Sequence, residues 1–393
     1  MKIISKKILF LSIYLIIIII TNEFYRNYLF KYSYNSFEEK IQKSFCRKID
    51  FYFYFFTYLG NEYGLIPVFL ISFIISIKFF FIIFSIFCFS LYWNGIFKLI
   101  YYYPRPFWKN NDLFKYCETG YGNPSGHSMI STIFYLGIIE FICQSKYFKN
   151  YSIIKFRKLF GLFLIYNIML SRIYFGVHSI DQVIYGHLLG LGLYYLVFEI
   201  IELHKYNSIK FIVILLSYKL YIILLYLFSI SISFLFLIFI DYDSKNKEFK
   251  SNLKEQCPNS KEYRIFHYES YYTIFRTFLW FGAFLGYIFL NVFIDIVKLD
   301  ENLKMNYNSF KDKIKIKIFR SGIMFLTVLP SLLFYFLNFE SIPKIFLFNT
   351  IIPSIIQGFL LFGPGNYFGI LFVKKYLMKN YEDYNNVEPS IDI

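Results

Sequence analysis

Long apolar runs separated by short polar segments make up most of this chain. A helix needs roughly 20 consecutive apolar residues to cross the hydrocarbon core of a bilayer, which is about 30 Å thick. Runs of about this length recur from one end to the other, so the pattern predicts an all-α, polytopic membrane protein with about nine to ten transmembrane helices. The predicted spans are 8–20, 58–77, 79–99, 128–144, 158–177, 180–201, 210–240, 272–297, 318–337 and 346–373.

The first apolar run has two interpretations. Lys2, Lys6 and Lys7 precede a short run that ends in Ile16 to Ile20, which is the pattern of a signal peptide. No small-residue cleavage site follows, so an uncleaved signal anchor is nearly as well supported. We leave both interpretations open for residues 1–27.

The composition excludes several classes of protein. Apolar residues make up 57% of the chain, which is too much for an intrinsically disordered protein. Five cysteines in 393 residues are too few for a small disulfide-stapled domain. The net charge is +15, but the basic residues lie between apolar blocks and not on one polar face, so we expect no nucleic-acid partner.

The charges of the loops predict the orientation. The segments 145–158 and 298–320 are rich in Lys and Arg and are predicted to be cytoplasmic. The loops that carry Cys117 and Cys257 then lie on the opposite side, where these two cysteines could either form a disulfide or stay unpaired.

Three polar islands interrupt the apolar spans, each at or beside the end of a predicted helix. Ionisable groups at membrane depth are expensive and usually functional. Counting the predicted crossings places all three on the same side of the bilayer. The islands are Lys98 with Arg105-Pro106, then Pro124-Ser125-Gly126-His127, and then Ser171-Arg172 with His178 and Asp181.

These residue types fit phosphoryl transfer. Guanidinium groups bind phosphate oxygens in a fork, and Lys acts as a point charge. Backbone N–H groups at the start of the helix after Gly126 favour an anion. Two imidazoles can serve as nucleophile and acid near neutral pH. The set predicts a phosphoryl-transfer pocket with no metal and no cofactor. His187, inside a span, is instead expected to be a core histidine bonded to a neighbouring helix.

Taken in order, the three islands resemble the three-part signature of the type 2 phosphatidic acid phosphatase (PAP2) superfamily. The resemblance covers roughly residues 55–205. It implies a six-helix PAP2 catalytic bundle, and we assign the PAP2 phosphatase domain to residues 28–205 and a C-terminal transmembrane extension to residues 206–393. The superfamily contains lipid phosphate phosphatases, glucose-6-phosphatases, bacterial phosphatidylglycerophosphate and undecaprenyl pyrophosphate phosphatases, and vanadium haloperoxidases.

The resemblance also implies a role for each matching residue. His178 corresponds to the nucleophile that becomes a phosphohistidine, and His127 corresponds to the acid that protonates the leaving oxygen. The remaining matches correspond to phosphate-binding groups: Lys98, Arg105, Ser125, Gly126 and Arg172.

One position departs from the family pattern. The superfamily usually places an Asp four residues after the nucleophile, where this chain has Gln182, and the acid is Asp181, one residue earlier. Asp181 remains a candidate catalytic residue, and Gln182 is the alternative group to orient His178. Glucose-6-phosphatases also lack the usual acid, so the departure does not imply an inactive enzyme.

The resemblance predicts an integral-membrane phosphatase of a lipid phosphate or lipid diphosphate. The segments 105–108 (Arg-Pro-Phe-Trp) and 117–120 (Cys-Glu-Thr-Gly) also resemble glucose-6-phosphatases, so a sugar phosphatase is the alternative. Other classes considered are a haloperoxidase, a phosphotransferase, and a non-catalytic lipid-binding or transport protein. The expected partners are the phospholipid or sugar-phosphate substrate and membrane lipids, and the oligomeric state stays open. The expected location is the endoplasmic reticulum, another endomembrane or the plasma membrane, with the active site facing the lumen or exterior.

Overall fold

The computed structural model is mostly helical in the part of the chain that it describes, and it contains no β-strand there. This confirms the predicted all-α class. Residues 145–150 and 298–309, which belong to the two predicted cytoplasmic loops, lie outside that part. The described residues are 2–45, 49–75, 77–110, 113, 117–144, 151–200, 208–239, 249, 253, 257, 267–293, 310–331 and 347–372.

Eight helices precede residue 200 and seven follow it among the described residues. The first eight are α1 (Lys2–Tyr32), α2 (Glu38–Phe45), α3 (Asp50–Leu59), α4 (Glu62–Ile75), α5 (Ile77–Tyr101), α6 (Gly126–Gln144), α7 (Tyr151–Tyr174) and α8 (Ile180–Tyr195). The others are α9 (Ser208–Ser217), α10 (Lys219–Phe239), α11 (His267–Arg276), α12 (Phe278–Phe293), α13 (Phe310–Val328), α14 (Ile352–Phe362) and α15 (Pro364–Phe372).

Five helical stretches in the described part of the chain are long and apolar enough to cross a membrane. Their surfaces support that assignment, because Leu220, Leu224 and Phe228 of α10 are exposed with no polar cover. Such apolar faces suit lipid and not water. The count of nine to ten spans and the six-helix bundle stay predictions. The five stretches are Lys6–Ser44, Phe80–Trp108, Lys219–Phe236, Tyr268–Asn291 and Ile352–Phe372.

The chain forms two compact units. The first comprises residues 1–70 with 78–277, and the second comprises residues 71–77 with 278–393. In the second unit α12 packs along α14 and α13 packs along α15. Every candidate site residue lies in the first unit, where the site is built.

The core of the first unit is formed where α6 packs against α7 and α8 and α1 packs against α8. Ile18 of α1 joins Met129 of α6 and Leu189 of α8 in one buried apolar cluster. The Tyr14 hydroxyl of α1 also donates a hydrogen bond to the Leu188 carbonyl, at 2.7 Å. The segment with two interpretations, signal peptide or anchor, is therefore packed against the helices that carry the site.

A close helix approach positions the segment before α6. A side chain at Gly186 of α8 would place its Cβ only 2.5 Å from the Ser125 carbonyl oxygen. Glycine lets the two backbones come this close. The Ser125 amide also donates to the Gln182 carbonyl at 3.0 Å, so α8 fixes the start of α6.

A disulfide joins Cys117 to Cys257, with their Cα atoms 5.7 Å apart. This confirms the pairing that the sequence left as one outcome. It connects the loop before α6 to the segment before α11, which is 140 residues further along the chain.

Candidate active site

Arg105 is held rigidly by main-chain carbonyl groups. It follows α5 in extended backbone and is only 2% exposed. Its Nε donates to the Gly120 carbonyl at 2.5 Å, and its Nη1 donates to the Val177 carbonyl at 3.0 Å. These neutral acceptors fix the plane of the guanidinium without cancelling its charge, which stays available to an anion.

The end of α7 folds back so that His178 lies beside Arg172. Gly176 adopts a left-handed conformation with φ +63°, which favours glycine and is typical just after a helix end. The amides of Val177 and His178 both donate to the Arg172 carbonyl, at 3.2 and 3.3 Å. The tight turn therefore places the candidate nucleophile beside the main chain of Arg172 in the last turn of α7.

The hydrogen bonds of His178 define which ring nitrogen faces the pocket. Its Nδ1 lies 2.8 Å from the Gly122 carbonyl oxygen and 3.2 Å from Oε1 of Gln182. Because both partners are acceptors, Nδ1 carries the proton. Nε2 then has the lone pair, and it lies 3.1 Å from Nη1 of Arg105.

Gln182, and not Asp181, contacts His178. Besides facing Nδ1, its Oε1 accepts from the Ser179 amide at 3.4 Å, and its Nε2 donates to the Pro104 carbonyl at 2.8 Å. Asp181 is buried, but in the described part of the chain it makes no hydrogen bond to His178.

The second island provides the start of α6. The Ser125 hydroxyl accepts a hydrogen bond from the Ser128 hydroxyl at 3.1 Å, and the helix begins at Gly126. The first amides of a helix have no partner within it and can bind an anion. His127 lies in this first turn and is partly exposed, unlike His178.

The three islands meet around one additional acid, Glu118. Its Oε2 lies 2.6 Å from Nη1 of Arg105, and its Oε1 accepts from Nη2 of Arg172. Lys98, in the last turn of α5, and His127 are both close enough for charge interactions with this carboxylate. Glu118 lies in the segment 117–120 and was not predicted as a site residue from the sequence.

The charges of the pocket set the ionisation of the groups outside the spans. Burial, and then the positive charge of Arg105, lower the pKa of His178 well below its ordinary value. Burial and Arg172 do the same to the pKa of His127. Burial alone would raise the pKa of Glu118, but Arg172 and Arg105 outweigh it and hold that pKa well below the ordinary value. Both imidazoles are therefore neutral near pH 7, and the carboxylate is ionised.

His187 is bonded to a neighbouring helix, as predicted. Its Nδ1 lies 2.8 Å from the Thr132 hydroxyl of α6, and its ring packs near Tyr166 of α7. Among the described residues, no group of three or more His, Cys, Asp or Glu side chains is placed to hold a metal ion.

Comparison with known families gives a match for the segment that contains the three islands. Residues 78–206 match the model of the PAP2 superfamily, which confirms the predicted family over this range. No curated protein and no solved structure matches the chain. The likeness to glucose-6-phosphatases stays a prediction.

Proposed function

We propose that this protein, whose residues 78–206 belong to the PAP2 superfamily, is an integral-membrane phosphatase that hydrolyses a lipid phosphate or lipid diphosphate through a phosphohistidine. One observation carries the proposal. Arg105 and Arg172 converge on a single anion, the Glu118 carboxylate, beside the unprotonated Nε2 of His178. A phosphoryl group bound by the same two arginines would lie next to a nitrogen that is able to attack it.

In the first step the phosphoryl group binds to the two guanidiniums, with Lys98 and the first amides of α6 as further donors. Nε2 of His178 attacks phosphorus, the N–P bond forms, and the P–O bond to the leaving group breaks. His127 gives its proton to the leaving oxygen. Although His127 is neutral in the free pocket, an incoming phosphate dianion raises its pKa and favours the protonated form that this step needs. Cations aimed at the equatorial oxygens lower the barrier.

In the second step water completes the hydrolysis. The now neutral His127 takes a proton from a water molecule, and the water oxygen attacks phosphorus. The N–P bond breaks, its electron pair returns to Nε2 of His178, and inorganic phosphate leaves. One difficult displacement is thereby divided into two easier ones.

Gln182 and the Gly122 carbonyl orient the nucleophile in this proposal. We expect Gln182→Ala to lower kcat by about 10- to 100-fold with little change in KM, the usual size of an effect that acts through an orienting hydrogen bond. Gln182→Glu keeps an acceptor for Nδ1–H but loses the donor to the Pro104 carbonyl, so we expect it to recover part of kcat. Steady-state kinetics measure both values.

The matched control for Gln182 is its neighbour. Asp181→Asn keeps the size of the side chain and removes only the charge, so we expect kcat close to that of the wild type. A large loss of kcat in Asp181→Asn together with a mild effect of Gln182→Ala would make Asp181 the orienting residue and overturn the assignment.

A lipid substrate is favoured because it can enter the pocket sideways from the bilayer. A sugar phosphate is the second candidate, and the segment Cys117 to Gly120 beside the pocket supports it by its resemblance to glucose-6-phosphatases. We place the active site on the lumenal or exterior side of the membrane. The Cys117–Cys257 disulfide, adjacent to the Glu118 that faces the arginines, supports that side because disulfides persist in oxidising compartments.

Phosphate release by the detergent-purified full-length protein tests the function. The substrates are phosphatidic acid, sphingosine phosphate, a polyprenyl diphosphate and glucose 6-phosphate, each with EDTA present. We expect release from a lipid substrate that is insensitive to EDTA and blocked by vanadate. Release from glucose 6-phosphate alone would make the protein a sugar phosphatase, and release that EDTA abolishes would contradict the proposed mechanism.

A further inference from the structure

We propose that Glu118 is a built-in competitor for the substrate, whose carboxylate occupies the phosphate position on Arg105 and Arg172 until a phosphoryl group displaces it. This inference rests on the proposed function in taking phosphate as the ligand. It assigns to Glu118 the role of setting how tightly a substrate must bind in order to enter the pocket.

The bridging geometry of Glu118 matches the geometry that a bound phosphoryl group would adopt. Each oxygen of the carboxylate engages a different arginine, Oε2 with Arg105 and Oε1 with Arg172. Two equatorial oxygens of a phosphoryl group would make the same bridge. Nη1 of Arg105 also contacts Nε2 of His178, so the carboxylate and the nucleophile share one guanidinium nitrogen. The bridging position is therefore the one that the reacting phosphoryl group needs.

The negative charge of Glu118 opposes the entry of a phosphate dianion. A phosphate dianion and the Glu118 carboxylate would repel each other on the same two guanidiniums, since like charges that share a site disfavour each other. The arginines hold Glu118 ionised, so protonation does not relieve this repulsion near neutral pH. Displacement of the carboxylate is the remaining way to admit the dianion.

The Glu118 side chain is more exposed than the two arginines that it contacts. The Arg105 and Arg172 side chains are 2% and 0% exposed, whereas that of Glu118 is 21% exposed. The carboxylate is therefore the most exposed of the three charged groups. Glu118 also lies in an irregular loop and not in a helix, so a rotation of its side chain can carry it into solvent.

The disulfide keeps the competitor close to the site. Cys117, the residue before Glu118, is covalently bound to Cys257. A displaced carboxylate therefore stays within reach of the arginines and competes at the high effective concentration of a tethered group. The competition is then intramolecular and acts on every substrate.

The test measures the binding of inorganic phosphate to full-length Glu118→Gln. The thermal unfolding midpoint is followed against phosphate concentration, because a ligand that binds the folded state raises it. We expect phosphate to bind about tenfold more tightly than to the wild type, within the range of ordinary coupling between two sites. In kinetics we expect a similar fall in KM and in the inhibition constant of phosphate, with kcat not reduced. Weaker phosphate binding, or a loss of kcat with an unchanged inhibition constant, would overturn the proposal.

The control is a second carboxylate of equal exposure. Glu140 is 22% exposed, faces Lys158 at 3.9 Å, and lies fourteen residues beyond Gly126 on α6, about 21 Å along the helix. Glu140→Gln should leave phosphate binding unchanged. If Glu140→Gln bound phosphate as much more tightly as Glu118→Gln does, the cause would be the change in overall charge, and the proposal would be overturned.

Glu118→Asp covers the case in which the Gln variant fails to fold. It keeps the negative charge beside the buried arginines but is one methylene shorter, so it cannot bridge both of them. We expect phosphate to bind several-fold more tightly than to the wild type, again within the ordinary range of coupling. Unchanged or weaker binding would overturn the proposal.

These measurements separate the two proposals, since phosphate binding needs no turnover. Tighter phosphate binding in Glu118→Gln, without hydrolysis of any substrate, would support the competitor and count against the phosphatase. Hydrolysis by the wild type together with weaker phosphate binding in Glu118→Gln would support the phosphatase proposal and overturn the proposal that Glu118 competes with phosphate.

Discussion

His178→Ala is expected to lower phosphate release roughly a thousandfold or more, to the background of the assay, as for other enzymes that lose their nucleophile. The physical reason is that the lone pair on Nε2 of His178, which lies beside Arg105, is the attacking group in the proposed mechanism. The two arginines and Lys98 remain, so inorganic phosphate should still bind. The loss should therefore appear in kcat and not in phosphate affinity.

Two measurements check this expectation. Phosphate release is compared with that of His187→Ala, which removes an imidazole from α8, the helix that follows His178, at a position hydrogen-bonded to Thr132 of α6. The protein is also trapped with a radiolabelled substrate, and the wild type should carry acid-labile label that is missing in His178→Ala. Label retained in His178→Ala, or an equal loss of activity in His187→Ala, would show that His178 is not the nucleophile.

The residues of the three islands could be predicted because their chemistry is local. The spacings from Lys98 to Arg105 and from Arg172 to His178 are readable along the chain, and each segment ends a helix. In the structure the islands converge as this reading requires, with Arg105 beside His178 and both arginines on one anion. Ionisable groups that are buried in a membrane protein are costly and are usually functional.

Glu118 could not be predicted because it depends on a long-range arrangement. Its two partners lie 13 and 54 residues away in sequence, and the loop that carries it is fixed by a disulfide to Cys257. For the residue that orients His178, the sequence does contain a signal that favours Gln182 over Asp181. Gln182 is the third residue of α8, and a side chain at that position reaches back over the helix start. His178 lies there, one residue before the N-cap Ser179.

Polar residues also occur inside one predicted span, 128–144, which corresponds to α6. The helix α6 carries Ser128, Ser131 and Thr132, all buried within the bundle. Polar residues that face a functional pocket dilute the apolar signal of the helix that carries them. The remaining apolar residues of α6 are still enough for the sequence to predict this span.

His127→Ala is expected to lower the hydrolysis of an alkyl phosphate by about 10²- to 10⁴-fold, the usual contribution of a general acid or base. The reason lies in the leaving group. An alkoxide is a poor leaving group and needs the proton that His127 supplies, whereas p-nitrophenolate leaves without one. The first step with p-nitrophenyl phosphate should therefore be nearly normal in this variant.

The second step still needs His127 as a base, so the variant should accumulate phosphohistidine on His178. Rapid mixing with p-nitrophenyl phosphate should give a burst of nitrophenolate close to one equivalent per active site, followed by slow turnover. His187→Ala is again the control and should show neither the burst nor the dependence on leaving group. Equal losses with alkyl and nitrophenyl substrates and no burst would mean that His127 binds phosphate and does not move protons. The partial exposure of His127, against the burial of His178, argues for the proton-transfer role, because water and the leaving group must both reach it.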